Sequence, residues 1–417
     1  MADRRVVLAG LGTVNPLGRS VAETWSALLA GKSGITRIQK FDPATFASQI
    51  GGEVLGWDTY VPETLDAREW RRMDRFTQFA VTAAIEAVRD SGIDFEKEDR
   101  ERCGVIYGSG IGGLQELEEQ HIRMLDKGPG RISPFTVPKL MANAAPGNIA
   151  ILWHLMGPNQ AVVTACASAA NSVGEALRCI QRGECDVMIS GGSEAALTKI
   201  GLASFCALKG LSTRNDDPEH ASRPWDKDRD GFLLSEGAGA VILEELEHAR
   251  KRGAKIYCEL IGYGSSCDGY HITAPDPEGK GAVLAMRRAL ADGKIATEQV
   301  EYINAHGTST ELGDKAETIA IKKAFGDYAK NGLMVSSTKS SHGHLLGASG
   351  ALELVITSLA ITTETIPATM NLDNQDPECD LDYVPKTPRS KRINIALSNS
   401  FGFGGHNACL LVQRFNG

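Results

Sequence analysis

Three residues in this sequence, Cys166, His306 and His344, are of the types that do covalent chemistry, and each stands at the edge of a predicted element. Cys166 lies in Val163-Thr164-Ala165-Cys166-Ala167-Ser168-Ala169-Ala170-Asn171. The apolar run Ala161-Val162-Val163 reads as the end of a buried strand, and Val173, Ala176, Leu177 and Ile180 then recur at helical spacing. Cys166 is therefore expected on a strand-to-helix turn, at or near a helix N-terminus. Unpaired N–H groups and the positive end of the helix dipole favour a thiolate there. A thiolate can attack a carbonyl and carry the acyl group, and the small neighbours leave room for that carbonyl. A lone cysteine in an apolar stretch is more commonly a packing residue. The chemical reading therefore depends on what else the chain supplies.

The second half supplies two histidine motifs. Asn304-Ala305-His306-Gly307-Thr308-Ser309-Thr310 follows a predicted strand over 302–304. Lys339-Ser340-Ser341-His342-Gly343-His344-Leu345-Leu346-Gly347 precedes a predicted helix over 346–360. Both His306 and His344 adjoin glycine at an element end, where loops carry function. His121, His154, His220, His248 and His271 read as structural, and His342 as a loop residue directed elsewhere. No carboxylate completes a third ligand beside the histidines, so no catalytic metal is expected. Gly108-Ser109-Gly110-Ile111-Gly112-Gly113 follows a predicted strand over 103–107 and has the G-x-G-x-x-G form of a dinucleotide fingerprint. The stretch after it carries Glu116, Glu118 and Glu119, poor company for a pyrophosphate, and no strand ending in an acid follows at the required distance. The turn reads better as one that brings backbone close to a substrate. A dinucleotide-dependent oxidoreductase is kept as the alternative from another class.

The elements that must hold these residues alternate between strand and helix. Strands are expected at 6–9, 103–107, 186–190, 238–243, 302–304, 334–336, 393–397 and 408–412. An amphipathic helix is expected over 68–90, stopped by Gly92. Arg68, Arg71, Arg72 and Arg75 fall on the outer face of its first turns; residues 373–389 read as a surface loop. A faint repeat relates the Cys166 stretch to Gly347-Ala348-Ser349-Gly350-Ala351, each opening a helix. Gly191-Gly192 and Gly404-Gly405 then follow in equivalent strand pairs. The pattern implies two duplicated α/β halves, 1–254 with the cysteine and 255–417 with the histidines.

The 417 residues carry a net charge of −8, which argues against a general nucleic-acid binder. Nine cysteines at irregular spacing, with no CxxC pair, form a reduced intracellular pattern. The apolar run 6–9 is too short for a signal peptide or a membrane span. A cytoplasmic protein that does not associate with membranes is expected.

The Cys166 stretch, His306-Gly307-Thr308-Ser309-Thr310, Gly343-His344-Leu345-Leu346-Gly347 and Asn399-Ser400-Phe401-Gly402-Phe403-Gly404-Gly405 together resemble β-ketoacyl-[acyl-carrier-protein] synthases of the elongating synthase II type, in order and spacing across essentially the whole chain. The resemblance implies a thiolase-like fold of two duplicated halves in five layers, assembled as a homodimer. It implies a decarboxylating Claisen condensation of an acyl-enzyme with malonyl-[acyl-carrier protein], with no cofactor. In that scheme Cys166 carries the acyl group, and His306 and His344 donate Nε2–H to the enolate oxygen. The backbone N–H groups of Cys166 and Phe403 hold a second oxyanion. Lys339 orients His344 and sets the local electrostatics, with Glu353 and Asn399 behind them; the family also places a structural cation near Asn304, Glu353 and Asn399. Thr308, Thr310 and Thr273 contact pantetheine, Ile111 and Phe205 line the acyl pocket, and Phe403 gates it. Arg68, Arg71, Arg72, Arg131 and Lys209 dock the acyl carrier protein. Thr136 stands where relatives often carry an aromatic, and His406 where threonine is more usual. Cys409 raises an acyl-CoA thiolase as the second alternative, because thiolases use a second cysteine as base.

Overall fold

The computed structural model describes residues 4–417. The strands of its main sheet are β1 (Val6–Val14), β2 (Cys103–Gly108), β3 (Asn159–Val162), β4 (Val187–Glu194), β5 (Gly237–Glu245), β6 (Cys258–Cys267), β7 (Tyr302–Asn304), β8 (Met334–Ser336), β9 (Ile395–Gly402) and β10 (His406–Arg414). They lie in the order β3-β2-β4-β5-β1-β6-β10-β9-β7-β8. Outward from the centre, each half repeats one arrangement: its first strand, then its fifth, fourth, second and third. In each half the second strand runs parallel to the third and fourth. The fifth runs antiparallel to the fourth and the first. The halves meet where β1 pairs with β6 through Val7–Glu259 and Leu8–Cys258 alone.

The connecting helices repeat as well. In the first half α1 (Arg75–Ser91) lies between the first two strands, α2 (Ala144–Trp153) between the next two, and α3 (Ser168–Gln181) precedes β4. Their counterparts are α4 (Lys280–Gly293), α5 (Glu311–Phe325) and α6 (Ser349–Thr363). The middle helix α3 packs on β2 and β4 of its own half and on β6 and β10 of the other, while α6 packs on β9 and β5 and on α3 itself. Val173, Leu177 and Ile180 thereby share one core with Leu354, Val355 and Ile361. Outside, α1 and α2 bury Phe76, Phe79, Ala83 and Ile149 against the first half, and α4 and α5 bury Met286, Leu290, Ile321 and Phe325 against the second. Outer helices, the strands of the first half, α3 with α6, the strands of the second half and outer helices make five layers, the two strand layers being parts of one sheet joined at β1–β6. Among the described residues, Leu346–Thr363 is the one helical stretch long and apolar enough to cross a membrane, and 83% of it is buried as this central helix.

Four local expectations are corrected. The helix over 68–90 is two helices, Ala67–Arg71 and α1, each with its own aspartate cap, Asp66 and Asp74. A buried Asp74 carboxylate accepting from the Phe76 N–H restarts the chain, so Arg75 does not share the outer face. It is buried on Glu236, with Nε 2.8 Å from Oε2, and pairs with Asp58. The segment before Cys166 is the sheet's edge rather than a buried strand, and Val163 is 55% exposed. Residues 373–389 are not simply a surface loop: Cys379, Leu381 and Tyr383 enter the second-half core, and Tyr383 stacks on Trp225 at 4.0 Å. His342 is fully buried in the short helix Lys339–His342, its ring bonded to Thr338 Oγ1 and Gly343 O.

Candidate active site

The duplicated topology puts Cys166 and His344 in equivalent loops, before α3 and before α6. Cys166 sits on a tight turn in which Ala165 adopts φ +49°, a left-handed conformation costly for a residue with a Cβ. The turn is locked by Ser168. Its hydroxyl accepts from the Thr164 N–H at 2.9 Å and donates to Ala165 O at 2.6 Å. Asn171 adds Nδ2 to Thr164 Oγ1 at 2.7 Å, and Tyr263 of β6 donates to Asn171 Oδ1 at 2.7 Å, tying the turn to the other half. The opposite wall is β9. A Cβ on Gly402 would stand 2.9 Å from Cys166 N, so only glycine lets the two backbones approach.

Burial pushes the Cys166 thiol up to about 12, against the lowering effects of the Lys339 charge and of the Phe403 and Cys166 N–H groups. The expected thiolate is therefore not the resting form. The helix begins only at Ser168, and desolvation outweighs its dipole. The same N–H pair that points at the thiol is the pair expected to hold an oxyanion.

His306 follows β7. Its N–H and that of Gly307 donate to the two oxygens of Glu317, at 2.9 and 2.7 Å, and Asn399 Nδ2 donates to Glu317 Oε1 at 3.2 Å. His344 is 3% exposed, and its Nδ1 lies 2.9 Å from the Ser349 hydroxyl. A hydroxyl donating to Nδ1 leaves the proton on Nε2, so Ser349 orients this ring. Lys339 was expected in that role; its Nζ instead pairs with the fully buried Glu353. The two imidazoles meet edge to face at 5.3 Å. Burial, the Lys339 charge and a neighbouring histidine hold both well below the ordinary histidine range. Neutral imidazoles can donate hydrogen bonds without surrendering a proton to a carbanion. Burial also raises Glu353, to about 7, despite Lys339.

Cys166, His306 and His344 line one cavity of about 560 Å³, which Ile111, Phe205 and Phe403 share. Thr273, Thr308, Thr310 and Lys209 line the same space. Phe205 packs edge to face on Phe232 at 5.7 Å, and Phe232 on His344 at 5.5 Å, so an aromatic wall runs to the histidine. Phe403 sits on a loop clamped by the Gly404 N–H to Ile272 O at 2.6 Å. Lys339, Glu353 and Asn399 are buried and do not line the cavity. Arg68, Arg71, Arg72 and Arg131 are exposed. Arg72 stacks over Phe135 at 5.0 Å, four positions from Arg131. Lys209 lines the cavity, which these four arginines do not.

Both side-chain amide atoms of Asn304, and Glu353 Oε2, are buried without a protein partner. Of these atoms, Asn304 Oδ1 and Glu353 Oε2 form an oxygen pair of the chemical kind that a hard cation takes. The Asn399 side chain does not join it, being engaged by Glu317 and by the Cys409 thiol at 3.1 Å. Cys409 lies in β10 outside the cavity lining, and burial holds its thiol far up. That removes the observation behind a thiolase-type base. The glycine-rich turn is also occupied from within: Gly110 and Ile111 N–H donate to Glu194 at 2.8 and 3.2 Å.

Glu194, Glu317 and Ser349 were missed in the sequence. Two left a signal. Glu317 is an acid on the apolar face of a helix with Ala320, Ile321 and Ala324, and Glu194 is an acid ending a buried strand.

Residues 3–249 match the beta-ketoacyl synthase N-terminal domain and residues 257–373 the C-terminal domain. The chain is 51% identical over 415 residues to the 3-oxoacyl-[acyl-carrier-protein] synthase 2 of Synechocystis sp., covering 100% of this chain and 99% of that one. It is 48% identical to the same-named protein of Staphylococcus aureus over 99% of each. Two solved structures superpose with a TM-score of 0.92. One is a beta-ketoacyl synthase from Burkholderia phymatum, at 35% identity over 99% of this chain and 100% of that one. The other, at 34% identity and the same coverage, is a type II polyketide ketosynthase in complex with its acyl-carrier protein. Likeness of sequence and architecture along both halves carries one conclusion: this chain is a member of the β-ketoacyl synthase family, with the thiolase fold.

Proposed function

We propose that this protein is an elongating β-ketoacyl-[acyl-carrier-protein] synthase, joining an acyl-enzyme to malonyl-[acyl-carrier protein] with loss of CO₂. The observation that carries the reading is the meeting of Cys166, His306 and His344 in one cavity, with two backbone N–H groups at the thiol. In the first stage the Cys166 sulfur attacks the acyl thioester of the carrier protein. The oxyanion is held by the Cys166 and Phe403 N–H groups. The thiol proton leaves with the pantetheine sulfur, so the exchange is proton-neutral and a buried thiol serves. In the second stage malonyl loses CO₂, and its thioester oxygen becomes an enolate oxygen held by His306 and His344. The enolate carbon attacks the Cys166 thioester, and collapse gives β-ketoacyl-[acyl-carrier protein] and the Cys166 thiolate. Burial makes that thiolate take up one solvent proton, which restores the thiol.

Thr308 and Thr310, whose hydroxyls lie 3.1 Å apart, and Thr273 receive the pantetheine arm. Ile111 and Phe205 line the acyl end of the cavity, and Phe403 swings to admit the chain. Burial keeps both histidines neutral and the buried Lys339 charge adds to it, with Glu353, Glu317 and Asn399 holding the frame. Asn304 and Glu353 would hold the cation that the family carries, as a fixed charge outside the reacting groups. The repeats are assigned to 1–254 and 255–417. A homodimer is supported by β3, an edge strand paired on one side only, beside exposed Ile151, Met156 and Val163. The enzyme is assigned to the cytoplasm. The reading is tested with purified protein, an acyl-[acyl-carrier protein] and malonyl-[acyl-carrier protein]. Mass spectrometry should find a β-ketoacyl product two carbons longer and one CO₂ per turnover, and absence of both would end the reading.

The carrier protein is expected to dock on Arg68, Arg71, Arg72 and Arg131, with Lys209 nearer the cavity. In a chain of net charge −8 this cluster is a local exception able to steer an acidic partner. Reversing Arg71 and Arg72 together to glutamate should raise KM for carrier-protein substrates about tenfold or more. The salt dependence should weaken, while turnover of small pantetheine thioesters is kept. Equal loss on both substrates would point to misfolding.

A further inference from the structure

Glu194 is a buried carboxylate of the cavity with no part in the chemistry above. Glu194 ends β4, is fully buried and lines the cavity with Cys166 and Ile111. Four donors converge on it. Oε2 accepts from Gly110 N–H at 2.8 Å and Gly347 N–H at 3.1 Å; Oε1 accepts from the Ser109 hydroxyl at 3.1 Å and Ile111 N–H at 3.2 Å. Ser109 also accepts from Gly112 N–H at 3.0 Å. The glycine turn is thus an anion nest whose anion is the protein's own side chain. The turn and the segment after His344 also touch: a Cβ on Gly347 would lie 2.3 Å from Gly110 N and 2.7 Å from Glu194 Oε2. One carboxylate therefore fastens a turn of the first half to a turn of the second.

Resting on the condensing-enzyme reading, we infer that Glu194 is a positioning residue for acyl chain length: its carboxylate fixes the Gly110–Ile111 wall of the acyl cavity. A short primer ends before this wall and a long primer must lie along it. Disordering the wall therefore penalises long primers selectively. Every donor at Glu194 is an N–H or O–H that needs an acceptor. Glu194→Gln keeps the shape but turns one oxygen into an NH₂ facing donors, which forces the turn away.

The experiment measures kcat/KM for short and long acyl-[acyl-carrier protein] primers in wild type, Glu194→Gln and Ser109→Ala, with melting temperature and with Ile111→Phe as comparator. Glu194→Gln is expected to lower long-primer kcat/KM about tenfold or more and short-primer kcat/KM by less than about threefold. Ser109→Ala, which removes one donor and leaves three, should move the ratio the same way by a smaller factor. Ile111→Phe, which overpacks the wall directly, should show the same selectivity. An unchanged long-to-short ratio in Glu194→Gln overturns the inference, whether both primers slow equally or neither does. If Glu194→Gln does not fold, Ser109→Ala decides by the same ratio. Wild type that acylates with no primer at all refutes the condensing-enzyme reading instead.

Discussion

Incubation with an acyl-[acyl-carrier protein] should add one acyl mass per chain to the wild-type protein and none to Cys166→Ala. Chain extension should fall by about a thousandfold or more, the scale on which loss of a covalent nucleophile acts. Three features single out this thiol among nine cysteines. It faces the cavity, two backbone N–H groups point at it, and its turn is held in a left-handed conformation at Ala165 by Ser168 and Asn171. Cys409→Ala should keep the adduct, because that thiol is buried in β10 against Asn399. The pH dependence has a definite sign. A thiol raised to about 12 keeps its proton at neutral pH, so thiolate accumulates only in alkali. Iodoacetamide labelling of Cys166 should therefore keep rising beyond pH 9, where an ordinary thiol with a pKa of about 8.5 has levelled off. An adduct that persists in Cys166→Ala, or one mapped to Cys409, would refute the assignment.

Alanine at His306 or at His344 should cut CO₂ release from malonyl-[acyl-carrier protein] at least about a hundredfold each, while acylation of Cys166 continues. The separation follows from what each stage needs. Transfer onto sulfur is proton-neutral and uses the Cys166 and Phe403 N–H groups. Decarboxylation puts charge on an oxygen for which the imidazoles are the donors. Both must be neutral, since an imidazolium would quench the carbanion. With folded values well below 6.5, protonation is postponed to lower pH, so the neutral donors persist as pH falls through the ordinary histidine range. Ring ¹⁵N resonances of His306 and His344 should keep the neutral pattern from pH 8 down to pH 6. Lost acylation with normal CO₂ release would reverse the roles.

How much of this was legible in the chain is clearest from particular residues. Strands 302–304 and 334–336 have the predicted bounds; Gly307 closely follows the first and Gly332 closely precedes the second. The α1 helix was overextended because apolar spacing continues across Asp74, whereas the aspartate restarts the helix by capping it. Arg75 looked like a surface residue because its partner Glu236 lies 161 positions away. Ser349, which orients His344, looks like any serine at a helix start. Residue type gives Lys339 its charge, and only the tertiary structure shows that this charge is paired with Glu353.

By itself the sequence determined the motifs, their order and the duplication, since these depend on local periodicity and on residue type at fixed spacing. It also determined that a thiol and two imidazoles were available. The tertiary structure decided their protonation. Cys166 is a thiol and the histidines are neutral because desolvation depends on everything packed around a group, and that packing comes from both halves at once. The tertiary structure likewise decided that the glycine-rich turn holds Glu194 and not a phosphate, because an acid some eighty positions later in the chain reaches the N–H groups first.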